Sequence, residues 1–223
     1  MSAAVFEDRR DAGRQLAERL LARRGQPAIV LALPRGGVPV AAVIAEQLRA
    51  PLDVFVVRKV GAPGNPEYAL GAIAEGQPPF LDPNRLRELG LRRPDLTPII
   101  EAEQREVERR VELYRNGRAL PSVRGRVVIL VDDGLATGAT ALAAVRALRR
   151  RGAAWLILAV GVASVEAAEQ LSAEVDELVC PRVPPYFDAV GSWYRDFSPV
   201  EDDEVLALLR RHRPPTVATG AAG

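Results

Sequence analysis

Short runs of apolar residues alternate along this chain with longer stretches in which apolar positions recur every three or four residues. That is the pattern of strands separated by amphipathic helices. In residues 8–24, Ala12, Leu16, Ala17, Leu20 and Leu21 share one helical stripe with charges opposite, and Gly25 and Pro27 end it. Residues 28–33 form an apolar run of buried-strand length that stops at Pro34-Arg35-Gly36-Gly37 and gives way to helical periodicity over 38–48. A second apolar run covers 52–57, and the order strand, glycine loop, helix, strand predicts a parallel βαβ unit. Further strands are expected at 126–131, 154–160 and 174–180, with helices at 138–151 and 165–172 between them. The alternation predicts an α/β fold with a doubly wound, mainly parallel sheet.

Some segments depart from this rhythm. Residues 58–66 are basic at first and then rich in Gly, Pro and Asn, which predicts a mobile loop. Residues 68–74 and 79–81 suit a short hairpin, so positions 58–81 together read as a flexible loop with a hairpin. Sparse apolar positions at Ile100, Val107, Val111 and Tyr114 predict a long, partly exposed helix over 97–114. Residues 181–199 carry Pro184-Pro185 and the aromatics Tyr186, Phe187, Trp193, Tyr194 and Phe197, the makings of a small C-terminal hood. A closing helix is expected at 201–211, which completes one domain over 1–211, and a disordered tail at 212–223.

Composition narrows the function classes. The 223 residues include 30 Lys plus Arg against 29 Asp plus Glu, so no whole-molecule field draws the chain to nucleic acid or lipid, and any anion site must be local. Lys59 is the only lysine, which singles it out. Cys180 is the only cysteine, which excludes an intramolecular disulfide and a multi-cysteine metal site. His212 stands alone near the end and reads as solvated, which sets aside histidine triads. The first ten residues carry charges of both signs and no signal-peptide core, so the chain reads as cytoplasmic.

The densest chemistry follows the strand at 126–131. Asp132 and Asp133 stand where that strand is expected to end, and ligands of open parallel sheets bind beyond the carboxyl ends of their strands. Gly134 and Gly138 permit tight turns, and Ala136, Thr137, Gly138, Ala139 and Thr140 lead into a helix whose first amides lack acceptors. Such a helix start binds a phosphate monoester, with the Thr137 and Thr140 hydroxyls as further donors. Two adjacent carboxylates repel that phosphate and suit instead the acceptance of hydrogen bonds from vicinal sugar hydroxyls nearby. An anion cradle beside a diol clamp describes ribose 5-phosphate.

Residues 128–140 resemble the fingerprint of the type I phosphoribosyltransferase family, which binds 5-phosphoribosyl-1-pyrophosphate, and the order of elements extends the resemblance over residues 6–209. The resemblance implies that Asp132 and Asp133 hold the ribose hydroxyls and that Ala136 to Thr140 hold the 5-phosphate. Leu33-Pro34-Arg35-Gly36-Gly37 is similar to the family's pyrophosphate loop, in which a peptide bond, here Pro34-Arg35, is often cis; taken alone, the same residues also suit a plain strand-to-helix turn. Arg58 and Lys59 resemble the start of the loop that closes over the reaction centre, and the hood matches the acceptor-base region by position. Its aromatics suit ring stacking or packing against the sheet edge. The chain also resembles a bacterial group of phosphoribosyltransferase-like proteins that supplies no substrate.

The implied reaction displaces pyrophosphate from ribose C1 by a nitrogen nucleophile, such as a nucleobase, with Mg²⁺, Arg35, Lys59 and Arg195 neutralising the leaving group. No direct side-chain ligation of the metal is expected, Asp132 or Asp133 reaching it through water. Members that use hypoxanthine or guanine carry an acid where this chain has Ala136, which argues against those bases. Glu67 and Glu75 are alternative proton-transfer groups or plain solvated charges. The resemblance further implies a homodimer. A second reading is a regulatory protein that binds the same ligand without turning it over, with the Arg-rich helix at 105–115 contacting RNA or a partner; the matching Glu content of that helix favours instead a solvated face. A receiver domain does not fit, because the run at 28–33 ends in Pro34-Arg35 rather than in acids.

Overall fold

The computed structural model describes residues 6–212. Helix α1 (Arg9–Leu20) starts at Asp8, whose carboxylate accepts from the Asp11 amide at 2.7 Å, and a 3₁₀ turn at Leu21–Arg23 ends the expected helical stretch. Then come β1 (Ala28–Ala32), α2 (Gly37–Leu48) and β2 (Leu52–Val54). After an excursion into a second sheet, the chain returns through α4 (Thr97–Arg115), β6 (Val127–Leu135), α5 (Ala139–Arg150), β7 (Trp155–Ala163), α6 (Val165–Ser172), β8 (Glu177–Val179) and α7 (Asp202–Arg211).

The main sheet is parallel throughout, in the order β2-β1-β6-β7-β8. Its period of two separates two apolar layers. Val30 and Ala32 of β1, with Ile129 and Val131 of β6, face α1 and α2. Ile29 and Leu31, with Val128 and Leu130, face α5 and α6. Strands covered on both faces read as continuous apolar runs, which is why they were legible. Sequence order reverses between β1 and β6, so the crevice beyond their carboxyl ends is the topological switch point of the sheet.

The excursion corrects two expectations. The apolar run 52–57 is not one strand. Phe55 still donates to Ala32 O at 2.9 Å, but the Val56 amide is taken by the Glu75 carboxylate at 2.8 Å, and the chain leaves the parallel sheet there. The expected mobile loop at 58–66 is instead the first antiparallel pair of a three-stranded sheet, β3 (Val57–Ala62), β4 (Asn65–Ala74) and β5 (Phe80–Leu81). Its Gly- and Pro-rich composition serves a turn and two register irregularities, at Val60/Gly61 and Gly61/Ala62, rather than a loop. The hairpin at 68–74 and 79–81 is present, with Gly71 opposite Leu81. Helix α3 (Pro83–Glu88), capped by Asp82, was not foreseen.

The closing helix is α7, and β6 runs four residues beyond its expected end. His212 lies within the described residues, with Nδ1 at 2.9 Å from Leu208 O, and is half-buried rather than solvated. Residues 213–223 of the expected tail lie outside the described residues.

Candidate active site

The switch point brings together two of the three predicted loops. β1 ends beside β6, where Leu33 donates to Val131 O at 2.9 Å, and the Pro34-Arg35 peptide that follows is cis. A side chain at Gly36 would overlap the Asp133 carboxyl, and one at Gly37 would meet Val131 O at 2.6 Å. Glycine is therefore what lets the Pro34–Gly37 turn lie directly against the acids.

Asp132 and Asp133 lie within β6, whose pairing with β7 continues through Leu135, and both are half-buried. Asp132 Oδ1 accepts from the Asp133 amide at 2.9 Å. Asp133 Oδ2 accepts from Arg9 Nε at 2.9 Å. Burial, reinforced by the neighbouring Asp133 charge, pushes the Asp132 carboxyl well above the usual carboxylate range. Tyr194 OH donates to the Asp133 carbonyl at 2.6 Å, and burial raises its pKa, so it stays a neutral donor.

The phosphate-type cradle is built from the far side. Gly138 caps α5 with φ of 68°, a left-handed conformation that glycine adopts without steric strain. Ser164, the N-cap of α6, donates its hydroxyl to Ala136 O at 2.8 Å, and its amide donates to Leu135 O at 2.9 Å. These contacts hold the turn before α5. Thr137 is exposed, Thr140 half-buried, and Thr137 Oγ1 lies 3.5 Å from the Ala139 amide.

The remaining predicted residues have other partners. Arg58, on β3, is engaged by Glu103 of α4 at 2.6 Å. Lys59 lies on the same strand, opposite Ala72. Arg35 turns to Glu201 at 3.5 Å, and Arg195 pairs with Glu7 at 3.2 Å on the surface. The hood aromatics divide: Tyr194 is buried, its ring 5.2 Å from that of Phe6, whereas Tyr186 is 91% exposed. Packing therefore accounts for Tyr194.

Glu75 is not a solvated charge. It is buried against Arg115, and that arginine, expected on a solvated helix face, is 1% exposed. The side chain of Glu67 lies outside the described residues. Burial raises the Cys180 thiol to about 11, which removes it as a nucleophile. Among the described residues no group of three or more His, Cys, Asp or Glu side chains is placed to hold a metal ion, and no helix is long and apolar enough to cross a membrane.

Sequence reasoning missed Arg9, Ser164 and the second role of Tyr194. The polar face of the first helix held Arg9 and Arg10 with nothing in the periodicity to choose between them. Ser164 before an apolar helix was a readable N-cap signal.

Known proteins resemble both the sequence and the fold. The phosphoribosyl transferase domain family matches residues 6–188. The Mycobacterium tuberculosis H37Rv protein named "Putative phosphoribosyl transferase Rv0571c" is 45% identical over 210 residues, which is 94% of this chain and 47% of that protein. The chain thus spans about half the length of the curated relatives it matches. The crystal structure of TT1426 from Thermus thermophilus is 44% identical and superposes with a TM-score of 0.82, covering 94% of this chain and 99% of that one. A Neisseria gonorrhoeae protein solved with bound ppGpp shares the fold alone, at 13% identity and a TM-score of 0.50 over 94% and 95% of the two chains. With its acids and glycine turns meeting at the switch point and its matched stretch running from Phe6 through the start of the hood, the chain belongs to the phosphoribosyl transferase domain family.

Proposed function

We propose that the chain binds 5-phosphoribosyl-1-pyrophosphate at the β1/β6 switch point and transfers its phosphoribosyl group to a nitrogen nucleophile, a nucleobase in the simplest case, with release of pyrophosphate. The observation that carries this reading is the contact between the Pro34–Gly37 turn and the Asp132-Asp133 pair, with the start of α5 on the same edge. Each part has its own chemistry: carboxylate oxygens for the ribose hydroxyls, helix-start amides and Thr137 and Thr140 for the 5-phosphate, and the Pro34–Gly37 turn with Arg35 for the pyrophosphate.

Displacement at ribose C1 breaks the bond to a pyrophosphate oxygen and forms one to nitrogen, so negative charge grows on the leaving group. Arg35 lies on the turn that abuts the acids, and its partner Glu201 is 73% exposed, which makes that pair easy to exchange for a ligand phosphate. Arg58 and Lys59 serve only if β3 and its turn approach the acids, which requires Arg58 to leave Glu103.

Magnesium fits this donor set in one way. Two adjacent carboxylates, one already paired with Arg9, do not make a protein cage for a cation that prefers six oxygens. Asp132 and Asp133 would hold the ion through water, with oxygens of the bound ligand supplying the rest of the set. Bound there, Mg²⁺ would neutralise charge developing on the leaving group.

Binding without turnover is the second reading, favoured by one observation: Arg58 and Arg35 are both engaged by glutamates in this structure. Incubation with 5-phosphoribosyl-1-pyrophosphate, Mg²⁺ and a panel of nucleobases, followed by a pyrophosphate assay, separates the two. Base-dependent pyrophosphate release supports transfer. Binding with no release under any base supports the regulatory reading.

A further inference from the structure

We propose that Arg9 is a positioning residue for the sugar-binding acids, holding Asp133 by one carboxylate oxygen and making the fit of the ribose hydroxyls depend on the aromatic segment 194–198. This inference rests on the reading that Asp132 and Asp133 face those hydroxyls.

Arg9 is held on three sides. Its Nε donates to Asp133 Oδ2 at 2.9 Å, and the two side chains are only 11% and 14% exposed. Another guanidinium nitrogen donates to Ser198 O at 2.8 Å, and the guanidinium carbon lies 3.9 Å from the centroid of the Phe197 ring. Phe197 in turn packs on Tyr194, ring centres 5.1 Å apart, and Tyr194 OH donates to the Asp133 carbonyl at 2.6 Å. Asp133 is therefore gripped at its carboxylate by Arg9 and at its backbone by Tyr194, and both grips pack on one ring. Asp196 Oδ1 fixes the turn that presents Ser198, accepting from its amide at 2.9 Å and its hydroxyl at 2.6 Å. Asp8, as N-cap of α1, sets the helical position that places Arg9 there.

The result concerns which oxygens are left. Asp133 Oδ2 belongs to Arg9 and Asp132 Oδ1 to the Asp133 amide. The second oxygen of each acid accepts from no N–H group among the described residues. Two such oxygens on adjacent residues match two hydroxyls on adjacent carbons. Without the guanidinium, Asp133 has no other cation in contact among the described residues to balance its repulsion from Asp132, and its carboxylate rotates away from the arrangement the diol needs. A buried planar guanidinium suits this task better than a lysine, because it donates in two directions while stacking on Phe197.

The test compares two simple probes, ribose 5-phosphate and 2-deoxyribose 5-phosphate, by titration calorimetry on the whole chain. The unsubstituted chain is expected to prefer ribose 5-phosphate by roughly tenfold, the scale of one hydrogen bond to a charged acceptor. In Arg9→Met the preference should fall to about twofold, with affinity for the deoxy sugar nearly unchanged, and Arg9→Lys should restore part of it. Phe197→Leu, which leaves both acids and Arg9 in place, should reduce the preference to an intermediate value. A merely structural role would weaken both sugars alike. The inference is overturned if Arg9→Met retains the tenfold preference or loses both ligands equally, or, should that variant not fold, if Phe197→Leu leaves the preference intact. If the unsubstituted chain binds the two sugars equally, the diol reading itself falls, and binding of neither removes the phosphoribosyl reading as well.

Discussion

Two constellations in this protein, one buried and one half-buried, have the same composition, two carboxylates and one guanidinium, and opposite arrangements. At the base of the antiparallel sheet, Arg115 lies between both acids: Nε donates to Asp53 at 3.1 Å, one terminal nitrogen contacts Glu75 Oε2, and the other donates to Glu75 Oε1 and to Val54 O, each at 2.6 Å. The acids also accept the Val54 and Val56 amides at 2.8 Å. At the switch point, Arg9 engages Asp133 alone of the two acids and leaves Asp132 to the Asp133 amide. The first arrangement gives every guanidinium nitrogen to partners within the protein, tying β2, the residue after β4 and α4 together. The second leaves acceptor oxygens open to a ligand. A guanidinium shared by two acids marks a structural cluster, and one given to a single acid of a pair leaves acceptors for a ligand, a distinction that residue types alone do not make.

The comparison breaks most sharply at Arg115. Arg115→Met strands two carboxylates with side-chain exposures of 8% and 6%, and should cost about 3–5 kcal/mol in urea unfolding, the range for removing one partner of a buried pair. If the loss is under about 1 kcal/mol, the cluster is not the structural tie described above.

A smaller effect, of opposite sign, is expected at the site. Asp132 has its folded-state pKa raised, so its protonated form is favoured in the folded chain and its ionisation erodes stability. The erosion sets in as pH climbs past about 3.9, the unfolded value, and is complete once pH exceeds the raised folded value. Asp132→Asn keeps an oxygen for the Asp133 amide while removing the charge. Its Tm should exceed that of the unsubstituted chain by about 2–4 °C at neutral pH, and the difference should vanish below about pH 4. An equal or lower Tm at neutral pH would show that the acid is not held at a stability cost.

The smallest effect belongs to a third, exposed constellation with the opposite stoichiometry, one acid and two arginines. Hydrogen bonding from Arg109 foremost, then from Arg110, lowers Glu106 to about 2. A depressed acid contributes stability that is present above its ordinary pKa and lost as pH falls through the lowered one. Because these side chains meet water, Glu106→Gln should cost less than about 1 kcal/mol at neutral pH, and the cost should disappear as pH falls through about 2. A larger loss in urea unfolding at neutral pH would remove the distinction drawn between buried and exposed pairs.

What was legible in the sequence follows from these same differences. The parallel sheet announces itself because strands buried on both faces must be apolar throughout, as in 28–33 and 126–131. The acid pair and the helix start after it were visible because charge at the end of such a run is conspicuous. The antiparallel sheet was hidden because β3 and β4 meet through register irregularities at Gly61 and Ala62, where Gly, Pro and Asn imitate a loop. Arg115 was hidden for a different reason. It occupies the last helical position of α4 among arginines that do meet solvent, and its burial depends on Glu75 and Asp53, 40 and 62 residues away. Arg9 is the same case at the site, since its partner is 124 residues distant. Long-range ion pairing leaves no local periodicity to read.

The central claim is that the unsaturated acids at the switch point hold the sugar of 5-phosphoribosyl-1-pyrophosphate. Titration of that ligand with Mg²⁺ into the unsubstituted chain and into the Asp132→Asn, Asp133→Asn double variant tests it directly. The account predicts a loss of affinity on the order of 100-fold, the scale of two weakened charge-assisted hydrogen bonds, in a variant that still folds. Unchanged affinity in the folded double variant would contradict it.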